Sequence, residues 1–307
     1  MLVTIKPLLQ RPRTFVLHER GNRHCNRGVC NSRDYRLNCM SFRAFITITL
    51  TTLLAASAVV RAEAGSLDSG YDHMYNLQFA EAHQNFADWQ KQHPGDPLGP
   101  VSDAAAYLFS EFDRLHILQS EFFTHDEHFI TDHKLTPDAD LKKKFDADLE
   151  RATALSGKNP QDADAQFTAV LAHGLRSDYM GLIEKRYSAA FNEMKTARML
   201  AEKLLASQPG YHDAWVAIGV ENYMLGVKPA PVRWLLRLRG GEADRTVGLQ
   251  KLQITAEKGH YLQPFARLLL AVAALRDRDT SHARDILEQL ARQYPHNPLY
   301  VQELARL

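Results

Sequence analysis

From Leu67 to the end of the chain, apolar residues recur every three or four positions, and alternating β-branched runs are few. That period places the apolar side chains of each segment on one helical face. The periodic runs stop at proline-containing turns: His93-Pro94-Gly95-Asp96-Pro97, Asn159-Pro160, Gln208-Pro209-Gly210 and Tyr294-Pro295-His296-Asn297-Pro298. Proline has no amide hydrogen and clashes with the preceding turn, so it ends a helix at or before its own position. The pattern therefore predicts an all-α chain, built of helices that turn back on one another.

The residues before three of these stops share a spacing. Ala82, Phe86, Trp89 and Pro94 are separated by four, three and five; so are Ala197, Ala201, Leu204 and Pro209, and Ala283, Leu287, Leu290 and Pro295. A small residue lets two helices approach, and a large one a turn later fills the groove. Twelve positions before Ala82 and Ala283 stand Gly70 and Ala271, again small, where a first helix would cross. A fuller first helix carries Trp215, Ile218, Gly219 and Tyr223, with Asn222 one place ahead of the tyrosine.

Together these residues resemble the tetratricopeptide repeat (TPR), whose 34-residue unit reads W-x2-L-G-x2-Y, then A-x3-F, then P. Approximate units fall at 63–96, 163–210, 212–262 and 264–297, with less regular helices over 98–158. The resemblance implies a right-handed superhelix of antiparallel helix pairs over 65–307, with each pair burying its apolar face against its neighbours. It also implies protein–protein interaction in place of catalysis, with the first helix of each pair lining a concave groove. Glu221, Asn222 and Tyr223, at the end of the Trp215 helix, are candidate groove residues. At the positions where some TPR proteins clamp a C-terminal carboxylate, this chain has Leu67 and Tyr71, Val216 and Val220, and Leu268 and Val272. Such a groove suits a hydrophobic peptide, or simple packing between helices.

The period breaks between 227 and 244, where roughly 17 residues are added to the 34-residue unit. Val232–Leu238 is apolar and basic, which predicts a short extra helix. Lys228, Arg233, Trp234 and Arg237, with Arg239, put positive charge and an aromatic ring on an otherwise acidic body. They are candidates for binding an acidic peptide or lipid headgroups. The competing expectation is structural: Trp234, Leu235 and Leu238 plug between helix pairs while the arginines point to solvent.

Residues before the helical body read differently. Phe45–Val60 is uncharged, preceded by Arg43 and followed by Arg61-Ala62-Glu63-Ala64. A basic flank, a short apolar run and an A-x-A end make a secretory signal peptide over 40–64, with cleavage expected after Ala64. If it is not cleaved, residues 45–60 would be a membrane anchor. Residues 1–39 hold eight Lys/Arg and only Glu19 and Asp34 as acids. Met40 begins a complete signal peptide by itself, so 1–39 reads first as sequence upstream of the true start, then as a long signal n-region, then as an organelle transit peptide. All these readings place the body outside a bacterial cytoplasm or inside an organelle.

Charge follows the same division. Residues 1–64 carry ten Lys/Arg against three Asp/Glu, a net of +7, which leaves −6 for 65–307 out of the overall +1. An acidic body argues against nucleic acid as its partner. All three cysteines, Cys25, Cys30 and Cys39, lie before the expected cleavage site, so the exported chain would contain none. No nucleophile elbow, phosphate-binding loop, dinucleotide fingerprint or H-E-x-x-H is present, and no cofactor is expected. One cluster could hold zinc or nickel: His125 and His128, three apart around Asp126 and Glu127, with His133 beyond. The competing reading is a solvated connector. The sequence thus predicts an exported, non-enzymatic interaction scaffold of the bacterial envelope. A metal-binding protein or hydrolase built on His125–His133, and a membrane-anchored structural subunit, are its rivals.

Overall fold

The computed structural model describes residues 66–119 and 135–307. These residues form twelve α-helices and no strand. They are α1 (Leu67–Tyr75), α2 (Phe79–Gln92), α3 (Leu98–Arg114), α4 (Ala139–Ser156), α5 (Ala163–Asp178), α6 (Tyr187–Ser207), α7 (Trp215–Gly226), α8 (Ala230–Leu238), α9 (Arg245–Lys258), α10 (Gln263–Arg276), α11 (Thr280–Gln293) and α12 (Pro298–Arg306). A π-helical turn, Tyr179–Ile183, continues α5. The all-α expectation holds for the described residues.

Each helix packs on the next in sequence, except that α7 pairs with α9 across the short α8. The small residues foreseen at helix crossings, Ala82, Ala197 and Ala283, are buried, and Leu204, Leu287 and Leu290 lie in the core with them. A Cβ on Gly70 would overlap the Phe86 ring, so this glycine fixes how closely α1 and α2 approach. At the α7–α9 crossing, a Cβ on Gly248 would run into the Tyr223 backbone, and one on Gly219 would lie 2.9 Å from Leu252 Cγ.

Two kinds of turn join the helices. After α2, α6 and α11 come the proline-containing turns read from the sequence. Trp89 braces the first of these by donating its indole hydrogen to Asp96, 2.8 Å away. The turns after α1, α3, the π turn and α10 instead place one residue in the left-handed region: Leu77, His116, Lys185 and Arg278, each with φ near +60°. After α1, α3 and α10, the next amide returns to a carbonyl five residues back: Gln78 to His73, Ile117 to Phe112, and Asp279 to Ala274. This pairing closes the last turn of the helix and satisfies its free carbonyls. The short α8 ends the same way, with Gly240 left-handed and Gly241 donating to Leu236.

The first helix packs against turns near the end of the chain, those before α10 and α12. Tyr71 of α1 stacks on Tyr261, with ring centroids 4.8 Å apart. Tyr75 Oη donates to the Tyr261 carbonyl at 2.8 Å, and Asn297 Nδ2 donates to the Tyr75 carbonyl at 2.9 Å. His260 and Asp68 pair at 2.8 Å. An open stack of repeats would keep its first and last units apart, each contacting only its neighbours. Here helices from both ends share one apolar core.

Candidate functional site

The inserted segment forms α8 and rests on a buried polar clamp. Glu221 of α7 and Arg198 of α6 are both buried and bond at 3.0 Å. Glu221 also accepts the Glu242 amide at 2.8 Å, and Arg198 donates to the Gly240 carbonyl at 3.2 Å and to both oxygens of Glu202 at 2.8 Å. Lys195 donates to the Arg239 carbonyl, and Asn222 Oδ1 accepts the Asp244 amide at 3.3 Å. Burial pushes the Glu221 carboxyl upward, while the Glu242 amide and Arg198 oppose that shift. The chain just past α8 is further pinned at Gly241, where a Cβ would sit 2.9 Å from the Phe191 ring.

Of the residues singled out from sequence, Glu221, Asn222 and Tyr223 therefore lie inside the protein. The first two hold the insertion; Tyr223 faces an internal cavity. Lys228, Arg233, Trp234 and Arg237 fall on or beside α8. The three histidines His125, His128 and His133 lie outside the described residues, as do residues 1–64. Among the described residues no His/Cys/Asp/Glu group could hold a metal ion.

The disposition of α8 reverses the structural expectation. Trp234, Leu235 and Leu238 do not plug between helix pairs. Trp234 is 65% exposed and Leu238 64% exposed, with Val232 and Leu235 beside them. Two of the arginines bond back to nearby backbone, Arg233 half-buried and Arg237 exposed. Arg233 donates to the Gly226 and Lys228 carbonyls, both at 3.3 Å, and Arg237 donates to the Ala243 carbonyl at 2.7 Å. The cause is the short loop on either side. Backbone carbonyls left free at the end of α7 and after α8 need donors, and the guanidinium groups supply them. Once Arg233 and Arg237 bond back to these carbonyls, the helical period puts Val232, Leu235 and Leu238 on the other side.

Sequence reasoning missed Arg198 and Lys195, which come from α6, more than 20 residues before Glu221 and the chain past α8 that they hold. Only the three-dimensional crossing of α6 and α7 reveals them. Among the described residues no helix is long and apolar enough to cross a membrane. Comparison with protein-family models, curated proteins and solved structures found no match.

Proposed function

We propose that this protein is an exported, non-enzymatic interaction scaffold, a degenerate TPR-like array of helix pairs that docks a partner protein through the outward apolar face of α8. The observation that carries the proposal is that face. Trp234 and Leu238 are one helical turn apart, flanked by Val232 and Leu235, and all four are exposed on a helix whose ends are tied down. Anchors at this spacing suit insertion into an apolar groove of another protein. A tryptophan held in place costs little entropy to dock, and rigid aromatic anchors carry a large share of interface energy. The signal-like segment before Gly65 supports export. The repeated Ala/Phe-or-Leu/Pro spacing supports kinship with TPR proteins.

A second reading follows from the cations beside the same face. Lys228 and Arg239 flank the exposed tryptophan, as in helices that lie at an anionic membrane surface. Capture from envelope extracts with the full chain and a Trp234→Ala/Leu238→Ala variant separates the two readings, paired with sedimentation on vesicles of anionic lipid. Since both side chains are exposed, the variant should keep its melting temperature. A partner protein held by the native chain and lost by the variant supports docking. Vesicle binding lost by the variant, with no protein captured, moves the function to the membrane surface. A captured protein held equally by both removes α8 from the site.

A further inference from the structure

Helices from much of the array surround two adjoining cavities, of about 760 Å³ and 1200 Å³ with the open solvent at their mouths included. Phe109, Val220, Phe265 and Asp178 line both. Among the described residues the rest of the smaller wall is almost wholly apolar, while Arg276 and Glu303 stand on the larger one. The clamp positions noted in the sequence, Tyr71, Val216, Val220, Leu268 and Val272, face into them. Asp178 is the one charged side chain on the wall of the smaller cavity among the described residues. It sits where α5 passes into the π turn, and its side chain caps no backbone amide. No hydrogen bond or ion pair to Asp178 occurs among the described residues. Gly174, one turn earlier on the same face, opens onto the smaller cavity, and a Cβ there would meet nothing within 4 Å.

Asp178 is half-buried, and a carboxyl partly withdrawn from water into an apolar wall is costly unless something compensates it. We infer that the paired cavities bind an apolar molecule carrying one cationic nitrogen, with the nitrogen on Asp178 and the apolar body against Phe109 and Phe265. Charge complementarity favours a cation over a neutral or anionic head, because among the described residues no basic group lines the smaller cavity with Asp178, and Arg276 stands only on the larger one. The two phenyl rings add their negative faces to the attraction. Among the described residues, the titratable groups on the cavity walls besides Asp178 are Tyr71 and Tyr75 of α1, Tyr223 of α7, Arg276 of α10, and Tyr300 and Glu303 of α12. Burial pushes these tyrosines up, away from neutrality. Burial alone pushes the Asp178 carboxyl up to about 7, so its charge is gained as pH rises through neutrality.

The test uses the full chain and three probes of one tail length, dodecylamine, dodecanol and dodecanoate, the two ionic ones below their micellar concentration and the alcohol below its solubility limit, each titrated calorimetrically. Dodecylamine should bind one to one, at least about tenfold tighter than dodecanol at pH 8, and weaken about tenfold or more by pH 5.5 as Asp178 takes up its proton. Asp178→Asn should remove the preference for amine while leaving dodecanol binding in place, and Asp178→Glu should retain the preference. Gly174→Leu, which fills the cavity beside the carboxyl, should weaken amine and alcohol together. Three results overturn the inference: no binding by amine or alcohol, dodecanol or dodecanoate as tight as the amine at pH 8, or amine binding indifferent to both pH and Asp178→Asn.

Discussion

Two helical glycines have opposite meanings, and substitution separates them. Gly248 stands where α9 crosses α7, and any Cβ there overlaps Tyr223 backbone. Backbone cannot rotate away as a side chain can, so Gly248→Ala should force the helices apart and cost about 1–3 kcal/mol. Gly174 is also inside a helix, but its Cβ would face open space. There Gly174→Ala should gain about 0.5–1 kcal/mol from the better helix former. Paired thermal melts check both: a fall for Gly248→Ala and a small rise for Gly174→Ala. A rise for both would mean that the α7–α9 crossing is not as close as described. At the same scale, removing Arg198 leaves Glu221 buried without its cation. Arg198→Met should therefore cost about 3–5 kcal/mol, and hydrogen exchange should quicken first at Gly240–Glu242, whose backbone the pair holds.

At the scale of elements, the turns explain what the sequence disclosed and what it hid. Proline marked the ends of α2, α6 and α11, because its missing amide and fixed φ are written in the residue type. The turns after α1, α3 and α10 carry no such mark. Their left-handed position is filled by Leu77, His116 and Arg278, where glycine would have signalled the bend. A left-handed conformation costs an ordinary residue about 1–2 kcal/mol, partly offset in a glycine variant by about 0.5–1 kcal/mol of added chain entropy. Exposed Arg278→Gly should therefore raise the melting temperature by about 2 °C, and Arg278→Ala should not. Equal melts for the two variants would show that the turn stores no strain. The short α8 was legible as a helix from its apolar and basic run, but its rotation was not. Which side faces out depends on the carbonyls of Gly226, Lys228 and Ala243, and the sequence does not say that these lack other donors. Asp178 was invisible for a related reason. One acid at a helix end is ordinary, and only the convergence of six helices makes it a lone charge in an apolar wall.

For the molecule as a whole, buried acids set how stability follows pH. Burial raises Asp178 to about 7. Asp148 also reaches about 7, through burial and then repulsion by Asp103, against the pull of Arg151 and His83. Burial moves Asp72, Asp113, Asp213 and Glu221 in the same direction. Asp88 and Asp138 move down, held by Lys91 and by the first amides of α4, but both are exposed and count for little. In the unfolded chain these carboxyls lose their protons near pH 4. The folded chain keeps those of Asp148 and Asp178 until about pH 7. Between the two values the folded state binds more protons, so stability falls as pH rises through this window and levels off above it. The melting temperature should be several degrees higher at pH 5 than at pH 8, and Asp148→Asn combined with Asp178→Asn should flatten the difference. A melting temperature that climbs from pH 5 to pH 8 in the native chain would show that these carboxyls are solvated or paired. The two substitutions also divide stability from binding. Asp148 lies away from both cavities, so Asp148→Asn should change only the melt. Asp178→Asn should stabilise the chain at pH 8 and abolish its preference for the amine, as expected of a charge kept in an apolar wall at the expense of stability.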